Sequence, residues 1–291
     1  MKRRWWPPAL GFAYIALIGV LGGLGGQHIM LGCLGLLDAY NEKTRLFLRT
    51  FFAFIITGAI YDSLRYTLDA GTAGRIHVAG PYLFDRAFFG VGGHTLNEFF
   101  AIHHWAFADL VSGFSYLIYV AEYLALAMIL FFTGHPEHAR TFSRAFFGVN
   151  ILGFITYFAY PAAPPWYVAI HGFGPADMNV PPSPGAAQRF DALLGTHIFS
   201  NMYGHSVEVF GAIPSLHVAY PLMAAVLAFR IRELRWARWP ALLYAPIMCF
   251  SAIYLQHHYM IDVLVGLLYA SLVITAIWAW ERRRAKRAMA M

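Results

Sequence analysis

The chain has 291 residues, of which 59% are apolar and 12% charged, against roughly 25% charged in ordinary soluble proteins. That balance excludes a water-soluble globule. The formal net charge of +6 gathers beside apolar runs, where Lys and Arg act as topology signals, and no basic face interleaved with aromatics points to nucleic acid.

Taken in chain order, the uncharged stretches predict membrane-crossing helices, because about 20 apolar residues span a hydrocarbon layer of about 30 Å. The first stretch covers 5–37. It is too long for one span or for a signal-peptide h-region, and Gly22-Gly23-Leu24-Gly25-Gly26-Gln27-His28 breaks it, so it reads as a retained hairpin or re-entrant pair. Further spans are expected at 46–66, 106–133, 142–160, 212–230, 239–256 and 258–280. The fold class is therefore all-α, a polytopic integral membrane protein of about six to eight transmembrane helices. An N-terminal hairpin (1–45), a main membrane domain (46–280) and a basic tail (281–291) divide the chain. Cys33 and Cys249 lie inside apolar runs and read as small packed hydrophobes.

If the tail is cytoplasmic, alternate helix ends collect Lys2 to Arg4, Lys43, Arg45, Arg49, Arg140, Arg144, Arg230, Arg232, Arg235, Arg238 and the tail itself, 17 of the 21 basic residues. Arg65, Arg75, Arg86 and Arg189 fall on the opposite side, lumenal or periplasmic. Two long segments face that side. Residues 67–105 are polar and aromatic, with an interfacial helix expected near Asn97 to Trp105. Residues 161–211, rich in Pro and Gly, form the clearest loop, long enough for a lid or binding element.

Ionisable groups at membrane depth are costly and each needs a reason. Asp109 and Glu122 read as interhelical polar contacts or lumen-facing carboxylates, and His28, His94, His103 and His104 as solvated or structural. His258 and Asp262 stand four apart at the start of the last span, on one helix face. An aspartate on one imidazole nitrogen fixes the tautomer and leaves the other as a nucleophile or base. His257 lies about 100° round and cannot share Asp262 in the same way. His217, opening the span that starts at the same surface, comes to similar depth. Two histidines so placed suit phosphoryl transfer, one as nucleophile and one as proton donor.

At these residues the sequence resembles the type 2 phosphatidic acid phosphatase superfamily. Pro214-Ser215-Leu216-His217 matches one motif with Leu for Gly, and Ser251, His258 and Asp262 keep the spacing of the next, with Ala252 in place of Arg. Both departures are similar to the inositol phosphorylceramide synthase branch. So are Gly211-Ala212-Ile213, His257-His258-Tyr259, Pro164-Pro165-Trp166-Tyr167 and Ser183-Pro184-Gly185. The likeness covers roughly 140–266. The N-terminal third resembles the branch only through Tyr61-Asp62-Ser63-Leu64-Arg65 and Asp85-Arg86-Ala87-Phe88-Phe89-Gly90.

The resemblance implies a six-helix catalytic core within 46–280, no metal and no cofactor. His258 would attack phosphorus, Asp262 would orient it, and His217 would protonate the leaving alcohol, with Ser215 beside the substrate. The superfamily's Lys and Arg phosphate clamp has no counterpart here. Arg65 and Arg189 are candidates to hold the phosphate through bidentate contacts. The other reading makes each a solvated residue or an ion pair with Asp62, Asp85 or Asp191. Trp166 and Tyr167 either line a lipid entrance or anchor the interface. The expected function is transfer of a phosphoinositol-like head group from a phospholipid donor to a lipid-alcohol acceptor such as ceramide. A lipid phosphatase acting on phosphatidic acid or a polyprenyl or sphingoid phosphate is the rival reading. A transporter is disfavoured because the polar cluster lies at one surface.

Overall fold

The computed structural model describes residues 6–21, 23–36, 40–64, 72, 74–204 and 209–289. They form a helical bundle. α1 (Trp6–Val20) and α2 (Gly26–Cys33) make the N-terminal hairpin, and α3 (Glu42–Ser63), α6 (Ala106–Phe132) and α7 (Pro136–Ala159) follow as long apolar helices. Between α3 and α6 lie α4 (Ala79–Phe89) and α5 (Leu96–Ile102). Three short helices, α8 (Pro165–His171), α9 (Gln188–Leu194) and α10 (Ile198–Tyr203), precede α11 (Leu216–Arg230), α12 (Arg238–Tyr254) and α13 (Met260–Met289).

Local chemistry sets several of these starts. Asn41 accepts from Thr44 N and Thr44 Oγ1 accepts from Asn41 N, a reciprocal cap on α3. Thr95 and Glu98 do the same for α5. Pro136 opens α7, where its missing N–H costs nothing.

Among the described residues, four helices, α3, α6, α7 and α13, are long and apolar enough to cross a membrane. α11 has 15 residues and α12 has 17, roughly 22 and 25 Å at 1.5 Å per residue, short of about 30 Å. The expected span at 212–230 starts only at Leu216, because Ser215 before it is extended, with ψ 104°. α1 is also short, about 22 Å. Glycine lets the hairpin close: a side chain on Gly11 would meet the Gly32 carbonyl oxygen at 1.9 Å. The hairpin is tied to α3 by buried His28, whose Nδ1 accepts from Gly25 N at 2.7 Å and whose Nε2 bonds Asp62.

In lipid the hydrophobic effect gives helices little reason to associate, so close packing must. Small buried residues supply it, with Ala139, Ala145, Ala219, Ala224, Ala228 and Ala270 fully enclosed in the core shared by α6, α7, α11 and α13. The basic residues meet at one end. There Arg230 lies 3.5 Å over the Trp278 ring, Arg144 lies 4.9 Å from the Trp280 ring, and Thr141 donates to Glu281 at 2.8 Å. α13 runs on through the basic residues to Met289, so that stretch is helix.

The opposite end carries the long connections. Residues 67–105 hold α4 as well as the expected helix near Asn97, and the mixed composition of 79–89 hid it. Residues 161–211, read as a loop, contain α8, α9 and α10. Three segments pair side by side here: Ala163 N donates to His77 O at 3.0 Å and Ala162 N to Phe210 O at 2.7 Å, with bridges from His77 to Ala162 and from Ala162 to Gly211.

Candidate active site

Two connections at the loop end, 209–215 before α11 and 255–259 before α13, bring the predicted histidines into contact. His217 Nδ1 and His258 Nε2 are 3.0 Å apart. His258 Nδ1 lies 2.9 Å from the Ala212 carbonyl oxygen and 3.5 Å from Asp262 Oδ2. Both neighbours of Nδ1 are acceptors, so Nδ1 holds the proton and Nε2 keeps its lone pair.

This arrangement differs from the expected one in its details. His258 lies in the turn before α13, so the shared helix face does not form, and the carbonyl of Ala212 makes the shorter contact to the imidazole. Asp262 instead turns back to accept from Tyr259 N at 2.8 Å, capping its own helix, with its other oxygen unpaired.

The turn is held from outside. Asp85, fully buried on α4, accepts from Met260 N at 2.8 Å and Ile261 N at 3.0 Å, covering two of the N–H groups that the first turn of a helix leaves unpaired. Burial raises the Asp85 carboxyl above its ordinary range, against the pull of those two bonds. Asn97 on α5 donates to the carbonyls of Ile253 at 2.8 Å and His258 at 3.0 Å. Trp166 N donates to Gln256 O, and Ala186 N to Leu255 O, each at 3.0 Å. These contacts hold Gln256 at φ 63°, which a side chain rarely adopts. Gly185 shows why Ser183-Pro184-Gly185 ends as it does: its φ is 52°, and a Cβ there would come within 2.9 Å of Leu255 O.

Ser215 N donates to Asp262 O at 3.0 Å, joining the two motifs through the backbone. A side chain on Gly266 would meet Ser215 O at 2.2 Å, so glycine there lets α13 approach. Ser215 Oγ itself is buried, without a partner and outside the cavity lining.

The histidine pair borders a cavity of about 610 Å³. Its lining descends from Trp166, Ser183, Gly211, His257 and His258 past Tyr119 and Tyr220 to Phe54, Val120, Leu124 and Phe146. Gly58, Tyr61, Val120 and Leu124 line it and are also exposed, so it opens sideways between α3 and α6. Towards the basic end, Phe47 on Phe131 closes that gap, with ring centroids 5.5 Å apart. Among the described residues, no Lys, Arg, Asp or Glu lines the cavity.

Arg189 is not brought to this cavity. Its Nε donates to Asp109 at 2.6 Å and its guanidinium lies 4.8 Å over the Tyr254 ring. The partner is Asp109 of α6, which answers the expectation of an interhelical contact for that carboxylate; Asp62, Asp85 and Asp191 all have other partners. Arg65 lies outside the described residues. Trp166 borders the cavity, whereas Tyr167 is buried away from it with its hydroxyl accepting from Asp177 N at 2.8 Å. Both are at most 4% exposed, which excludes interface anchors. Sequence reasoning gave no role to Asn97, noted Asp85 only within a loose likeness and as an ion-pair partner for an outward arginine, and set His257 aside. His257 lines the cavity, stacked on Tyr203 with ring centroids 4.6 Å apart. Among the described residues, no group of three or more His, Cys, Asp or Glu is arranged to hold a metal.

Comparison with known proteins matches a family model described as the PAP2 superfamily to residues 82–289. A phosphoinositol dihydroceramide synthase of Bacteroides thetaiotaomicron is 37% identical over 253 residues, 84% of this chain and 81% of that protein. An inositol phosphorylceramide synthase of Candida albicans is 33% identical over 181 residues, 60% of this chain and 37% of that protein. The catalytic subunit of the inositol phosphorylceramide synthase of Schizosaccharomyces pombe is 30% identical over 195 residues, 66% of this chain and 44% of that protein. The chain thus spans most of the bacterial relative and less than half of each fungal one. No solved structure matches it.

Proposed function

The chain belongs to the PAP2 superfamily, and from that membership we propose that it is a membrane phosphotransferase moving phosphoinositol from phosphatidylinositol to a ceramide-type lipid alcohol. The observation that carries this reading is the pair of imidazoles in contact at the head of a cavity that opens sideways towards lipid. The names of the relatives support the choice of head group and acceptor.

His258 Nε2 attacks phosphorus as its lone pair forms the P–N bond. The P–O bond to diacylglycerol breaks, its electron pair leaves on the glycerol oxygen, and His217 supplies the proton. The acceptor hydroxyl then attacks the phosphohistidine, gives its proton to His217, and the P–N bond breaks. The phosphodiester must enter between the two rings, displacing their direct contact. Asp262 and the Ala212 carbonyl hold the proton on Nδ1 through both steps. The first turn of α11, which no side chain caps, directs the positive end of its dipole at the developing charge.

We also infer that the loop end faces the lumen or periplasm and the basic end the cytoplasm. The concentration of Lys and Arg at the end where α7, α11 and α13 meet supports this. A Gly174→Cys variant lacking Cys33 and Cys249 should react with an impermeant thiol reagent from the exterior face. Labelling only after the membrane is opened reverses the assignment.

The decisive experiment supplies purified protein in lipid with phosphatidylinositol and ceramide. Inositol phosphorylceramide and diacylglycerol should form faster than free inositol phosphate. Hydrolysis alone with every lipid alcohol, beside ready dephosphorylation of phosphatidic acid, would make it a phosphatase.

A further inference from the structure

His257 neighbours the reacting pair but has contacts of its own. It is 6% exposed, lines the cavity, and is flanked by Tyr203 and Tyr116, with ring centroids 4.6 and 5.3 Å away. Its backbone N donates to Ala252 O at 3.2 Å, and the backbone carbonyl of Pro184 favours a proton on the ring. Its Nε2 has no partner.

The tautomer follows from those partners. A carbonyl only accepts, and Nε2 is the nitrogen without a partner, so the proton that Pro184 favours sits on Nδ1. Nε2 is then a bare lone pair. Burial, then the neighbouring His258, push the ring down to about 3, with the Pro184 bond opposing them, so it stays neutral at physiological pH. A lone pair cannot bind phosphate oxygens, which are themselves acceptors, and a buried acceptor without a donor is costly. The partner it fits is a hydroxyl.

We propose that His257 Nε2 accepts a hydrogen bond from a substrate hydroxyl that takes no part in the transfer, and so selects substrates that carry one. This rests on the transferase reading. The hydroxyl belongs either to the polyol head group or to the acceptor lipid's second hydroxyl, and both pass the same cavity wall. The site discriminates because a substrate lacking that hydroxyl leaves the lone pair buried and unmet.

The test uses the full-length protein in lipid with phosphatidylinositol or phosphatidylcholine as donor, and ceramide or a single-hydroxyl long-chain alcohol as acceptor. His257→Phe keeps the stacking and removes the acceptor. We expect the preference in kcat/KM to fall roughly tenfold, the effect of one hydrogen bond. A fall between the donors assigns the hydroxyl to the head group, and a fall between the acceptors assigns it to the lipid alcohol. His257→Gln, whose amide oxygen accepts, should restore part of that preference. Wild-type protein with singly O-methylated inositol head groups, and with acceptors methylated at the second hydroxyl, gives the same measurement without substitution. Unchanged preferences, or an equal loss with every donor and acceptor, would overturn the proposal. Failure of the transferase reading is separate: the wild-type protein then transfers to no acceptor, and this proposal falls with it.

Discussion

The two ends of the bundle are built by different means. At the basic end, helices are held by small buried side chains and by arginines laid over tryptophans, contacts each worth about 0.5–2 kcal/mol and tolerant of small shifts. At the loop end, buried polar side chains reach across the molecule to backbone groups: Asp85 to the start of α13, and Asn97 to the turn before it. Packing decides whether the helices assemble, whereas directional bonds decide where His258 points. The two ends should therefore fail differently.

The largest expected effect is at the proposed nucleophile. His258→Ala should abolish head-group transfer, with thermal stability near that of the wild type, because the ring's removal leaves no lone pair at phosphorus. Normal turnover by that variant would remove the mechanism. Asp85→Ala tests the bracing next: freeing two N–H groups of α13 should lower kcat by one to two orders of magnitude while KM changes little, since a misplacement of about 1 Å costs about a hundredfold. An equal loss of folded protein would show Asp85 to be part of the packing instead.

At the basic end, Ala224→Leu forces extra methylenes into an enclosed site and should cost about 1–3 kcal/mol in stability, with kcat per folded molecule unchanged. Arg189→Met strips Asp109 of its guanidinium. Detergent denaturation should show a loss of stability, while KM for the phospholipid donor stays constant; a raised KM would return Arg189 to the list of phosphate ligands.

The smallest effect depends on pH. Burial of Asp191 acts to raise its carboxyl, but bonds from Ser200, Phe199 and Thr196 outweigh it and hold the group below the usual range. Its stabilising contribution is thus complete above the ordinary aspartate value near 4 and disappears as pH falls through the lower folded value. Asp191→Asn should lower Tm at pH 6 by a few degrees and by progressively less towards pH 3. A constant difference across that range would assign the effect to shape rather than charge.

What could be read from the sequence follows the same division. The contact between His217 and His258 was legible because the spacing from His258 to Asp262 and the place of His217 in the first turn of α11 are patterns within single segments. Among the expected spans, α3, α6, α7 and α13 were legible from hydropathy, whereas α1, α11 and α12 are shorter than the crossings expected there. The bracing was not, since Asn97 and Asp85 recognise backbone groups 161 and 175 residues away, and a carbonyl or N–H has no letter in a sequence. Arg189 was noticed for a charge on the disfavoured side, but its partner, Asp109, lies 80 residues earlier on another helix.

The turn before α13 also imposes an order on biogenesis. Every segment that braces it, at Asp85, Asn97, Trp166 and Ala186, leaves the ribosome before His258 does. His258 thus arrives with the last helix and enters a socket whose walls have already been synthesised. Until that helix is made, the chain holds a nearly complete bundle without His258, so the contact between His258 and His217 is among the last to form.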